Sequence, residues 1–198
     1  MTPLEKDFFA RDTLTVARDL IGTVMSVGRC AGRIVETEAY TTDAASHYVT
    51  RRNQAIHMRE THGHLYVYFI YGMYYCLNFT TDASAPGAIL IRAAEPLRGV
   101  ERMLERRKTK DVRKLATGPG RLCQAFGIDL SFNGLPIGGK FKVFAREDSP
   151  RIATTPRIGI SQARDLPWRF YELGNAFVCP HPRSSDQKAT ARRGRLPG

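Results

Sequence analysis

Residues 64–78 read His-Leu-Tyr-Val-Tyr-Phe-Ile-Tyr-Gly-Met-Tyr-Tyr-Cys-Leu-Asn, and they leave this part of the chain few options. Both halves are dense in aromatic and β-branched side chains, which suit a pleated surface. Gly72 lies between them and supplies the permissive backbone of a tight turn. The segment reads as strand, turn at Tyr71-Gly72-Met73, strand, and strands joined so closely pair antiparallel. Further strands are expected over 33–40, 88–93, 141–144, 157–160 and 168–173. A helix is expected over 13–21. A second begins near Val100, where Val100, Met103 and Leu104 recur at helical spacing. A third spans 119–126, with Pro119 at its first position after Gly118. The strands arrive in clusters and do not alternate with long helices. The expected class is α+β: a single domain with a curved, largely antiparallel β-sheet, surrounding helices and a protruding β-hairpin.

At 198 residues and 42% hydrophobic, the chain has material for an ordinary core. No run approaches the roughly 18–20 apolar residues of a membrane helix, so no membrane partner is expected. The N-terminal residues lack a basic stretch followed by an apolar one. The expectation is a cytoplasmic or nuclear protein, not a secreted one. Cys30, Cys76, Cys123 and Cys179 are scattered, without a C-x-x-C pair. They are expected as reduced thiols, with no metal and no cofactor implied.

The formal net charge of +11 points to a polyanion, nucleic acid first. Part of it lies in residues 183–198, with five basic residues against one acidic. That stretch is expected as a flexible basic tail after one domain over 1–182. Another part lies over 98–114, with eight basic residues against three, as the basic outer face of a helix.

The segment Ile34-Val-Glu-Thr-Glu-Ala-Tyr40 is unusual. Alternation puts Glu36, Glu38 and Tyr40 on one face and Val35, Thr37 and Ala39 on the other. Two carboxylates are poor core material. They mark either an edge strand with a solvated face or a carboxylate held on a rigid element beside an aromatic plane. The hairpin raises a second question. Core packing explains Tyr66 or Tyr75, but it explains Tyr71 at the apex badly. An exposed apolar wedge on a basic protein suits insertion between bases. Tyr40, Tyr68 and His47 supply flat faces for a base taken out of the stack. An enzyme that cleaves such a base from its sugar needs water at C1′ and a carboxylate beside an oxocarbenium-like transition state.

The residues also carry a resemblance. Ile34 to Tyr40, Ala45-Ser-His47, Thr50-Arg-Arg-Asn53, Tyr66-Val-Tyr-Phe-Ile-Tyr-Gly-Met73, Leu90-Ile-Arg-Ala-Ala-Glu-Pro96, Gly118-Pro-Gly-Arg-Leu-Cys-Gln-Ala125 and Arg157-Ile-Gly-Ile160 resemble the alkyladenine (methylpurine) DNA glycosylases. The match runs in order from about Leu4 to Val178. It implies a monofunctional enzyme that removes alkylated purines from double-stranded DNA; such chemistry needs only one subunit, so a monomer is expected. It implies Glu38 as general base, Arg92 as the arginine that positions the attacking water, and the Ile158 carbonyl as a third partner for that water. Tyr40, His47 and Tyr68 match the walls of the base pocket, and Asn78 the residue that crowds the amino group of guanine. Tyr71, flanked by Met73, matches the intercalating residue. Thr50, Arg52, Gly118 and Arg121 match DNA-contacting positions. One region departs from the family pattern. Residues 54–62 replace a shorter loop, and they are expected to alter the pocket wall and lesion preference.

Two other readings compete. A metal-dependent nuclease would use Glu36, Glu38, Asp43 and His47 around a divalent cation. A non-catalytic binding module would use the aromatics only as a stacking platform.

Overall fold

The structure, a computed structural model, describes residues 1–180. The expected basic tail lies outside the described residues, as does the end of the expected domain. Eight strands form one antiparallel sheet: β1 (Val24–Val27), β2 (Cys30–Tyr40), β3 (Leu65–Ile70), β4 (Tyr74–Thr81), β5 (Gly87–Arg98), β6 (Phe141–Phe144), β7 (Ile152–Thr155) and β8 (Arg169–Glu172). The order is β3-β4-β5-β2-β1-β6, with β8 joining β2 and β7 joining β8. Six α-helices accompany the sheet: α1 (Lys6–Phe9), α2 (Thr13–Asp19), α3 (His47–Thr50), α4 (Ile56–Glu60), α5 (Val100–Arg107) and α6 (Pro119–Phe126). The expected α+β class is what the chain adopts. No helix among the described residues is long and apolar enough to cross a membrane.

β2 is not an edge strand. It pairs with β5 on one side and with β1 and then β8 on the other, so its carboxylates sit mid-sheet. The alternation expected along it holds only from Glu36 onward. Pairing with β5 skips Val35, with register shifts on both sides of Glu36. A bulge of this kind reverses which face a side chain takes. Ile34 and Ala39 therefore reach the same main core, although strict alternation would separate them. Val35 packs instead against Ala93 and Cys179. Thr37 stays on the core side, where its hydroxyl donates to the Ala17 carbonyl of α2 at 2.8 Å.

Local chemistry sets the helix ends. The Asp12 carboxylate caps α2 by accepting the Thr15 N–H at 2.8 Å. Pro119 opens α6 after Gly118, and Gly127 closes it in the left-handed conformation. Phe9, Leu20, Phe79, Phe126 and Phe141 fill the main core between helices and sheet.

A further expectation fails. Residues 157–160 are not a strand. β7 ends at Thr155 because Pro156 has no N–H for the ladder, and Gly159 turns the chain with φ +77. The basic face of α5 is also less free than its charge suggests. Arg106 donates to the Ala125 carbonyl at 3.0 Å, and Arg107 donates to the Gln124 side chain. Those two cations tie α5 to α6.

Candidate active site

The bulged strand carries Glu36 and Glu38 away from the main core, and both are fully buried. Glu38 Oε1 accepts the Ile158 N–H at 2.7 Å and lies 3.3 Å from Arg92 Nη1. Its Oε2 accepts the Tyr40 hydroxyl at 2.8 Å. A carboxylate offers about four acceptor directions, so these two hydrogen bonds and the Arg92 ion pair leave at least one position open. Glu36 is held differently. Its Oε1 accepts Arg92 Nε at 2.8 Å and Arg169 Nε at 2.7 Å, and its Oε2 accepts the Cys179 N–H at 2.7 Å. Burial pushes the Glu36 carboxyl up, but Arg92 and Arg169 outweigh it and hold it below the ordinary carboxylate value. Burial works against the charge of Arg92, and Glu38 and Glu36 reverse that, raising it above the ordinary arginine value.

Arg92 and Ile158 also line a cavity of about 630 Å³. Tyr40, His47, Tyr68 and Asn78 form its walls, and Tyr71, Gly118 and Arg121 stand at its border with the hairpin and α6. Nine expected residues thus share one cavity, with Glu38 bonded to three of them. The remaining three lie elsewhere. Met73 is exposed at the hairpin apex. Arg52 lines two small surface cavities between residues 48 and 59, and Thr50 lines one of these.

The aromatic walls are braced. His47 Nδ1 lies 2.8 Å from the Tyr66 hydroxyl, and its ring centroid is 4.5 Å from that of Tyr68. Asn78 donates its amide to the Tyr66 carbonyl at 3.0 Å. Burial, with a contribution from Arg51, pushes the His47 pKa down from 6.5 to about 4. The ring is therefore neutral in the working range, while the unfolded chain binds a proton there below about pH 6.5. Folded stability should fall as pH drops from 6.5 towards 4. Thermal midpoints across that window should fall more steeply for the parent than for His47→Gln. Parallel curves would show that His47 titrates normally.

The donors are arranged against a shared cation. Asp43 is paired with Arg157 at 2.6 Å, Glu36 with two arginines, and His47 with Tyr66. Among the described residues, no three His, Cys, Asp or Glu side chains converge. Among the described residues, Glu36, Glu38, Asp43 and His47 therefore do not gather around one cation position.

Comparison with known proteins gives the family. The methylpurine-DNA glycosylase family model matches residues 7–176. The chain belongs to that family. It is 48% identical over 179 residues to a protein of Agrobacterium fabrum, covering 87% of this chain and 90% of the relative. It is 45% identical over 182 residues to one of Rhodopseudomonas palustris, covering 89% and 90%. Both relatives are provisionally named 3-methyladenine DNA glycosylases.

In this methylpurine-DNA glycosylase, several residues bear on the site in roles that its motifs did not assign. Arg157 stacks on Tyr40 with 4.6 Å from guanidinium to ring centroid, and on Trp168 with 5.1 Å. It also donates to the Ala39 carbonyl at 2.9 Å. Arg169, the largest fully buried side chain, secures Glu36. Gly120 lets the start of α6 approach the hairpin, because a Cβ there would lie 2.9 Å from the Tyr74 ring. Arg157 stood within one of the motifs without an assigned role, and Arg169 had no advance signal beyond the general charge excess. The unusual loop 54–62 does supply pocket wall: α4 buries Met58, which lines the cavity.

Proposed function

We propose that this DNA glycosylase flips damaged purines out of duplex DNA and hydrolyses the N-glycosidic bond with water activated by Glu38. The substrates proposed are alkylated purines such as 3-methyladenine and 7-methylguanine, with hypoxanthine and ethenoadenine as further candidates. The observation that carries this reading is a carboxylate with a free acceptor position behind an aromatic cavity, in contact with three groups that line it. A water that reaches Glu38 along Arg92 and Ile158 gives its proton to the carboxylate and its oxygen to C1′. The bond to the base breaks, and its electron pair leaves with the purine. The carboxylate also offsets the positive charge that develops on the sugar. A cationic alkylpurine departs neutral. A neutral lesion must take a proton on its ring as it leaves.

The cavity walls suit the cationic lesions, because a positive ring stacks well on tyrosine. Among the described residues no lysine lines the cavity, which favours water over an amine as nucleophile. One subunit holds all of these groups, so a monomer suffices.

A panel of duplexes with single lesions, assayed with and without chelator, tests the proposal. Alkylated purines should be released as free bases to leave abasic sites, undamaged duplex should not react, and chelator should change nothing. Loss of activity in chelator would restore the nuclease reading. Tight binding of unmodified single strands without base release would favour the stacking module.

A further inference from the structure

Glu36 is a fully buried ionised carboxylate to which the mechanism above gives no task. It does not line the cavity, and of its partners only Arg92 does, whereas all three partners of Glu38 line it. Its neighbours show what it controls. Arg92 presents Nε to Glu36 at 2.8 Å, and only the longer 3.3 Å approach of Nη1 goes to Glu38. Nη2 has no protein partner among the described residues. The orientation of Arg92 is therefore set by Glu36, although Glu38 is within reach.

We infer that Glu36 is a positioning residue that holds Arg92 by Nε, keeping its outer nitrogens for the water and keeping it from closing onto Glu38. Glu36 can do this because it is itself immobile. Arg169 Nε and the Cys179 N–H fix it, and Arg169 is in turn held by the Thr155 hydroxyl at 3.0 Å and the Cys179 carbonyl at 3.2 Å. Two arginines and two carboxylates balance in this cluster. Without the Glu36 charge, the acceptor nearest Arg92 is Glu38. A paired arginine–carboxylate fork would then occupy the acceptor position that the water needs. The inference rests on the reading of Glu38 as the base.

The test is Glu36→Gln, which keeps the shape and removes the charge. Single-turnover base release should fall about tenfold, the scale on which outer-sphere partners act. Affinity for a lesion duplex should stay at the parent value. Adding Glu36→Gln to Arg92→Ala should cost nothing further, because the arginine to be held is gone. Thr37→Val removes a buried hydrogen bond from the opposite face of the same strand, and it should lower thermal stability while release stays at the parent rate. An equal loss in the Arg92→Ala background, or a loss that only follows the folded fraction, would overturn the inference and leave Glu36 as a buried clamp. Parent-like release by Glu38→Gln would read differently, since Glu36 is then untouched, and would sink the underlying mechanism and this inference together.

Discussion

Glu38→Gln should bind a lesion-containing duplex as the parent does and release its base at least 10²-fold more slowly, within the range of about 10²–10⁴ for loss of a general base. The substitution suits the site. The amide oxygen can take the place of Oε1 and accept from Ile158 and Arg92, and the amide nitrogen can face the Tyr40 hydroxyl, which rotates to accept. The strand register, the cavity walls and the hold of Glu36 on Arg92 are untouched. What disappears is the capacity to take a proton from water and to place negative charge beside the sugar. Single-turnover release and equilibrium binding, measured on one duplex, separate the two effects. A variant that turns over like the parent would remove Glu38 from the chemistry.

Much of this was legible because the informative residues break local rules. Two carboxylates in an apolar strand and a tyrosine at a turn apex are costly for the fold alone, and sequence reasoning singled out both. The exact ends of β3 and of β6 also followed from side-chain type. What stayed hidden depends on partners distant in sequence. Nothing near residue 36 announces that Arg169 and the Cys179 N–H will meet it, because those contacts form only when β8 pairs with β2. The Val35 bulge was invisible for the same reason, since bulges are set by two strands together. The 157–160 segment misled because Ile-Gly-Ile has strand composition, while Pro156 and Gly159 decide the backbone. The charge excess over 98–114 suggested a helix with a basic outer face. Packing against α6 claims Arg106 and Arg107 first.

Tyr71→Gly should leave the fold intact and weaken capture of a lesion by tenfold to a hundredfold. Tyr71 sits at φ +54 beside Gly72 at φ +66, a left-handed pair that a non-glycine residue adopts at a cost of roughly 1–2 kcal/mol. The residue is 77% exposed, so it recovers little of that cost through packing. A strained, exposed aromatic is a poor choice for stability, and glycine at this position removes both the strain and the ring. The hairpin ladder from Leu65↔Phe79 to Ile70↔Tyr74 does not depend on it. Stacking of one base on an aromatic side chain is worth about 1–3 kcal/mol, which sets the expected loss. That loss should appear in binding to lesion duplex, while undamaged duplex of the same length, held by phosphate contacts, keeps its affinity at the same salt concentration. Thermal melting should hold within a few degrees, because the removed strain and the added freedom of the unfolded chain oppose each other. Equal weakening on both duplexes, or a large drop in melting temperature, would make Tyr71 part of the fold and would leave the extruded base without a wedge to keep it out of the helix.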